Sequence, residues 1–276
     1  METRQRRRLC LAQNFLRSPK LVHLLVGISK IGPGDIVYEI GPGNGIITAE
    51  LARSARHVIA IEKDPELVHH LRERFRPLDN VEIVEKDFLD YVFRNPGSGY
   101  KIFGNIPYNN TAQIVRKILC ERTNLGEAHL ILQKEAAKKF SGSPKESLCS
   151  ILGKPFFEFD ILYQLRRTDF RPVPAVDSVL LSIKRRTRPL IEMHEVASYV
   201  DFVQYGFGRW KPNLKLAFKT VFTYKQWKRL ARDLHFPLNA TPTELSFEQW
   251  LGLYRGFRNS NLYELTVTRA GPFHED

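Results

Sequence analysis

The stretch Ile36-Val37-Tyr38-Glu39-Ile40-Gly41-Pro42-Gly43-Asn44-Gly45 decides the fold. A short apolar run of strand type ends in three glycines within five residues, and a helical pattern from Gly45 to Ala55 begins at once. Glycines there let the backbone approach a ligand closely and expose amide N–H groups at a helix start. Working outward, the same unit repeats. Ser18-Pro19 reads as an N-cap and first helical residue of a helix to Ser29. His57 to Ile61 is the next strand, with Asp64 capping a helix to Arg74. Val81 to Val84, Lys101 to Asn105 and Ala128 to Leu132 are further strands, and Thr111 to Cys120 and Gln133 to Phe140 are helices among them. Such alternation predicts an α/β fold, a Rossmann-like, mostly parallel sheet with helices on both faces. Phe156 to Leu165 and Ser178 to Lys184 read as a closing β-hairpin around the Pro-rich Phe170-Arg171-Pro172-Val173-Pro174.

Charge narrows the partners. A net charge of +12 with a pI near 9.7 calls for a polyanion. That polyanion is nucleic acid or an anionic membrane, and the membrane is the poorer reading because no apolar run approaches the roughly 18 residues of a spanning helix. Met1 to Arg8 is basic, through Arg4, Arg6, Arg7 and Arg8, but no signal-type apolar core follows it. It reads equally as a solvated tail or an RNA-contacting arm. Cys10, Cys120 and Cys149 lack metal-ligand spacing, and His69-His70 has no partner at a useful offset. Reduced thiols in a cytoplasmic, metal-free protein are the expectation.

Composition shifts after Lys184. From there to Arg232 twelve basic residues face three acidic ones. Leu214, Ala217, Phe218, Val221 and Phe222 predict an apolar helical stripe, with Lys211, Lys215 and Lys219 recurring beside it as candidate phosphate contacts. A second amphipathic helix is expected from Ser246 to Tyr254. The organisation read from this is a sheet domain over 1–185 with a basic N-terminal arm, then a small, basic, all-helical domain over 186–276.

Four strand ends carry ligand-type residues. The glycine turn, with Gly41 and Gly43, suits either a dinucleotide or another nucleoside cofactor, although its spacing is G-x-G-x-G. Glu62, ahead of Lys63, can accept from ribose hydroxyls in both cases and does not decide. Asp87-Phe88 can accept from an adenine amino group and lie along the ring. Asn105-Ile106-Pro107-Tyr108 supplies an amide, a rigid proline and an aromatic face to a nucleobase amine. Together the four define the layout for S-adenosyl-L-methionine, with a methyl acceptor beside Asn105.

Gln13-Asn14-Phe15-Leu16, Glu39 to Gly45, Glu62-Lys63-Asp64, Asp87-Phe88, Asn105 to Asn109 and Phe170 to Ser178 occur in this order. Over nearly the whole chain this resembles the rRNA adenine N6-dimethyltransferase family. Ser18 to Val22, Ile114 to Ile118, Gln133-Lys134-Glu135 and Phe247 to Leu251 are similar to its Erm branch, which modifies 23S rRNA and confers macrolide, lincosamide and streptogramin B resistance. The resemblance implies cofactor contacts at Asn14, Leu16, Gly41, Glu62, Asp87 and Asn105, with Gln13, Gly43, Lys63 and Phe88 in the same motifs. It implies mono- or dimethylation of a flipped-out adenine. The Asn105 oxygen and Ile106 carbonyl would hold N6, Pro107 would stiffen the turn, Tyr108 would stack on one face and Phe170 on the other. The expected partner is 23S rRNA, free or in early assembly, and the expected state a monomer. Asn44 departs from many relatives, which carry a basic or other side chain there. A small-subunit rRNA dimethyladenosine transferase and a non-catalytic nucleic-acid-binding relative are the alternatives.

Overall fold

A computed structural model of the chain describes residues 14–93, 99–120, 124–208 and 211–259. Gln13 and Arg4, Arg6, Arg7 and Arg8 lie outside the described residues, as do Cys10 and Arg209. The strands are β1 Phe15–Leu16, β2 Ile36–Ile40, β3 His57–Glu62, β4 Val81–Glu85, β5 Tyr100–Asn105, β6 Leu125–Gln133, β7 Phe157–Leu165, β8 Phe170–Arg171 and β9 Ser178–Arg185. Seven of them form one sheet in the order β4-β3-β2-β5-β6-β9-β7. The first five run parallel, and β9 lies antiparallel to β6. This is the Rossmann-like α/β sheet expected.

The helices α1 Pro19–Ile28, α2 Ile46–Ser54, α3 Pro65–Phe75, α4 Thr111–Cys120 and α5 Lys134–Ser141 follow the local chemistry. Ser18 and Asp64 cap α1 and α3 by accepting from Leu21 N at 3.3 Å and Glu66 N at 2.9 Å, each with proline next in line. Strands β2 and β3 are buried along nearly their whole length, because helices cover both faces of a parallel sheet. From β2 the chain builds outward through β3 to β4, then returns to β2's other side as β5. The carboxyl ends of β2 and β5 therefore flank a topological switch point, where α/β sheets bind ligands.

β7 and β9 neighbour each other at the sheet edge. Between them in sequence, β8 leaves the sheet and pairs with β1, placing Leu16 opposite Phe170 and Phe15 opposite Arg171. The segment between the hairpin strands thus ties down the Asn14–Leu16 motif.

The chain divides into two compact units. One holds the described residues up to Ala137 together with Glu158–Arg185; the other holds Lys138–Phe157 and the described residues from Arg186 on. The expected uninterrupted 1–185 domain is corrected here: Lys138–Phe157 clusters with the helical unit. The reason is apolar burial, since Ile151 and Leu152 of α6 (Leu148–Gly153) pack in that unit's core and Ile151 O accepts from Tyr199 Oη at 2.8 Å. That core is aromatic, with Phe202, Phe218 and Trp250 in mutual ring contact. Its further helices are α7 Val196–Phe207, α8 Leu214–Ala217, α9 Tyr224–Asp233 and α10 Phe247–Asn259.

A second correction concerns the lysine row. Asn213 caps α8 through Leu216 N at 3.0 Å, so Lys211 precedes the helix. The turn ends at Phe218, and Thr223 opens α9 with a capping box to Gln226. Leu214, Ala217, Phe218, Val221 and Phe222 are all buried as the pattern requires, but Lys211, Lys215 and Lys219 do not share one helix.

Candidate methyl-donor and base-binding site

A cavity opens at the switch point of the sheet. Its floor and rim include Asn14, Leu16, Gly41, Gly43, Glu62, Lys63, Asp87 and Phe88, with Asn105, Ile106, Pro107 and Tyr108 on the side of β5. The structure thus brings together every described cofactor residue named from the sequence, and four of the five residues named for catalysis.

Backbone geometry shapes the donor half. Gly41, Gly43 and Gly45 have φ of 62°, 55° and 75°. A Cβ at Gly43 would stand 2.5 Å from the Phe15 ring and one at Gly45 2.8 Å from Leu71, whereas nothing lies within 4 Å of such an atom at Gly41. A side chain at Gly43 or Gly45 has no room, whereas Gly41 faces open space. Arg74 donates to the Asn44 carbonyl and braces the turn from outside, which gives Asn44 a main-chain part independent of its side chain.

Glu62 is 3% exposed and collects three backbone N–H donors, from Gly43 at 3.3 Å, Lys63 at 2.9 Å and Asp64 at 3.1 Å. Its carboxylate is held in place at the end of β3. Asp87 accepts from Leu89 N at 2.9 Å, and its other oxygen lies 3.7 Å from Lys63 Nζ. One further carboxyl stands near the loop. Glu39 is fully buried in β2 and neither of its oxygens has a hydrogen-bond partner. Burial first, and the Glu62 carboxylate second, push its pKa up to about 8; Thr48 beside it pulls the other way without reaching hydrogen-bond geometry.

The acceptor half turns on one amide. Asn105 Nδ2 donates to the Asn14 main-chain carbonyl at 2.6 Å, which fixes the flip of the side chain. Its Oδ1 has no partner among the described residues, and the Ile106 carbonyl also accepts no bond there. Two free acceptors therefore sit on consecutive residues at the cavity. The Ile106 N–H is tied to Ile131 O at 2.9 Å, and the Pro107 carbonyl accepts from Asn110 N at 3.1 Å. Tyr108 Oη lies 2.8 Å from Ser178 Oγ, so the ring is pinned at its far end.

Phe170 requires correction. It is 1% exposed, packs in the core cluster with Leu16, Phe103, Ile131 and Leu180, and is not among the cavity residues. Its pairing through β8 to β1 draws the apolar ring inward, where it supports the Asn14–Leu16 segment. Residues given no site role from the sequence also line the cavity: Ile46, Ile61, Lys86 and Asn110, and from the quoted motifs Phe15 and Ile114. Their apolar members carry only the periodicity of core positions. Ser178 was visible as a motif residue, but its contact with Tyr108 spans 70 positions.

A glycine loop with open space at Gly41, a buried carboxylate at the neighbouring strand end and a pair of unsatisfied acceptors for an amine fit a nucleoside-bearing methyl donor. Fold and site together define a Rossmann-like methyltransferase. Residues 4–257 match the family model for ribosomal RNA adenine dimethylase. The chain belongs to this family; it is an rRNA adenine N6-methyltransferase, and S-adenosylmethionine is its methyl donor.

Among its relatives, an rRNA methyltransferase of Streptomyces thermotolerans is 38% identical over 250 residues, covering 90% of this chain and 83% of that one. Ribosomal RNA small subunit methyltransferase A of Moorella thermoacetica is 33% identical over 211 residues, covering 71% and 73%. The crystal structure of the 23S rRNA methyltransferase ErmE superposes with a TM-score of 0.82 at 30% identity, covering 89% of this chain and 100% of that one. Among the described residues no helix is long and apolar enough to cross a membrane, and no cluster of His, Cys, Asp and Glu could hold a metal ion.

Proposed function

We propose that the chain methylates N6 of a flipped-out adenine in 23S rRNA, in the manner of the Erm branch, and so confers macrolide, lincosamide and streptogramin B resistance in the cytoplasm. The observation that carries the chemistry is the Asn105 amide, anchored through its NH2 group with its oxygen left free. An exocyclic amine is a weak nucleophile because its lone pair is delocalised into the ring. S-adenosylmethionine supplies an already activated methyl group, so the chain's task is to position the acceptor. Asn105 Oδ1 and the Ile106 carbonyl accept the two N6 hydrogens, turn the lone pair towards the donor half and stabilise the positive charge that develops on nitrogen. Asn105 is not a base, since an amide takes no proton near neutral pH. As the S–CH3 bond breaks and the N–CH3 bond forms, N6 becomes cationic and strongly acidic, and it loses its proton to water, leaving S-adenosylhomocysteine as the other product. On the donor side Glu62 would hold the ribose and Asp87 the cofactor's adenine amine, with Phe88 and the glycine loop lining the same half of the cavity.

The choice of 23S rRNA over the small subunit is supported by the ErmE likeness, which covers 89% of this chain, against 71% of this chain for the Moorella relative. The helical unit and the Arg4–Arg8 arm are assigned to rRNA contact, the unit's lysines, Lys211, Lys215 and Lys219, being exposed or half-exposed. Labelled methyl transfer to purified 23S rRNA and, separately, to 30S particles tests the assignment, with the product located by primer extension. Label in free 23S rRNA is expected; label confined to 30S particles overturns the subunit choice.

The Tyr108 ring stacks on the base, and its hydroxyl only holds it. Tyr108→Ala should lower kcat/KM about 10- to 100-fold, the scale of one lost base–aromatic stack. Tyr108→Phe keeps the ring but frees it from Ser178, and should cost only a few-fold. Ser178→Ala should match it, and the double variant should be no worse than either, because both remove one bond. Equal damage from Tyr108→Phe and Tyr108→Ala would refute stacking as the role.

A further inference from the structure

The helical unit carries a feature that the cavity does not account for. Tyr224, the first residue of α9, is 58% exposed and is the only aromatic among the large exposed apolar side chains of the described residues. Two ammonium groups stand over its ring: Lys215 Nζ, from α8, is 5.4 Å from the ring centroid, and Lys228 Nζ, one turn along α9, is 5.7 Å away. From Lys211 to Arg232 there are seven basic residues and no acidic one. The first acid beyond them, Asp233, is taken by Arg229 and Arg232. Lys211, Lys215, Lys219, Lys225 and Lys228 have no carboxylate partner among the described residues.

Two like charges drawn to one ring repel each other, and the ring's cation–π attraction offsets this only in part. An anion between them would relieve the repulsion. A solvated lysine face needs no aromatic residue, and the exposed Tyr224 ring leaves apolar area that a stacked base would bury with a gain. A flat, π-faced ligand that carries phosphates at its flanks satisfies all three groups at once. Single-stranded nucleic acid has that form, with a base for the ring and consecutive phosphates for the ammonium groups. A duplex presents phosphates but keeps its base faces stacked away.

We infer that Tyr224, Lys215 and Lys228 form a single-strand RNA subsite, in which an unpaired base stacks on the Tyr224 ring and the two lysines take the adjoining phosphates. The subsite rests on the reading of this chain as an rRNA-binding enzyme and adds to it: the substrate should carry an unpaired stretch beyond the target adenine.

The test uses the full chain and a labelled oligouridylate of about twelve nucleotides, which offers no adenine to the cavity. Tyr224→Ala should weaken binding roughly tenfold, and Tyr224→Phe should stay within about twofold of the parent. Lys215→Ala and Lys228→Ala should each reduce the slope of log affinity against log salt by about 0.7. A duplex RNA of the same length should bind the parent and Tyr224→Ala alike. Thermal melting of the Tyr224 variants checks the fold, and the lysine variants carry the test independently should Tyr224→Ala melt early. Unchanged binding in Tyr224→Ala overturns the subsite, as does equal loss on duplex and single strand, which would leave charge alone at work. So does Tyr224-dependent binding to phosphatidylglycerol vesicles with none to RNA. Failure of the parent to bind or methylate any RNA would instead bring down the rRNA reading itself, so the two failures are distinct.

Discussion

Asn105→Ala is expected to lower kcat by about 100- to 1,000-fold at saturating RNA and methyl donor, the loss that follows removal of one preorganised stabilising group. The magnitude follows from geometry. Oδ1 is the free end of an amide whose other end is bonded to Asn14 O at 2.6 Å, so it reaches the amine with little reorganisation at the moment of transfer. RNA affinity should change only a few-fold, because one hydrogen bond is a small share of a large polyanion interface. The alanine variant also strips the Asn14 carbonyl of its donor, which would loosen β1. Asn105→Asp separates the two effects: it keeps an acceptor but cannot donate to Asn14. Activity in the order parent, Asp, Ala is therefore expected from single-turnover methyl transfer. An alanine variant within tenfold of the parent would sink the assignment and shift the work to Ile106 and Tyr108.

Much of this site was legible because its parts are local. The glycine turn, Glu62, Asp87 and Asn105 each end a strand, and strand ends in a parallel sheet must converge on one edge. The caps at Ser18 and Asp64 were read for the same reason, since a cap bonds within three residues. What failed to show depended on distant pairing. Phe170 carries the chemistry of a stacking residue, and only its register opposite Leu16 reveals that it is buried. Lys138–Phe157 continues the sheet domain in sequence, yet Ile151 and Leu152 find their apolar partners beyond residue 190. The lysine spacing at 211, 215 and 219 fits one helix, but Asn213 and Thr223 are better caps than interior residues and break the segment into two. Helix α7, rich in aromatic and β-branched residues, had no clean polar face because Tyr199, Phe202 and Val203 are buried among the other helices.

Glu39 yields the second large expected effect, on stability. Glu62 and Glu39 lie on neighbouring strands, β3 and β2, but only Glu62 receives backbone donors. With a pKa of about 8 in the folded chain against 4.5 for an ordinary glutamate, Glu39 keeps its proton where the unfolded chain has lost it. Below about pH 4.5 both states hold the proton and no penalty arises. Between that value and about 8 the unfolded state binds fewer protons, so unfolding stability falls as pH rises; above 8 the folded state ionises too and the loss levels off. The full loss is on the order of a few kcal/mol. Glu39→Gln removes the titration while preserving shape and neutrality. The parent should therefore melt several degrees lower at pH 8 than at pH 5 relative to the variant, since about 1 kcal/mol moves the midpoint of a domain this size by 2–4 °C. Parallel melting curves for the two proteins across that range would mean that Glu39 is not held protonated, and that water or a counter-charge reaches it behind the glycine loop.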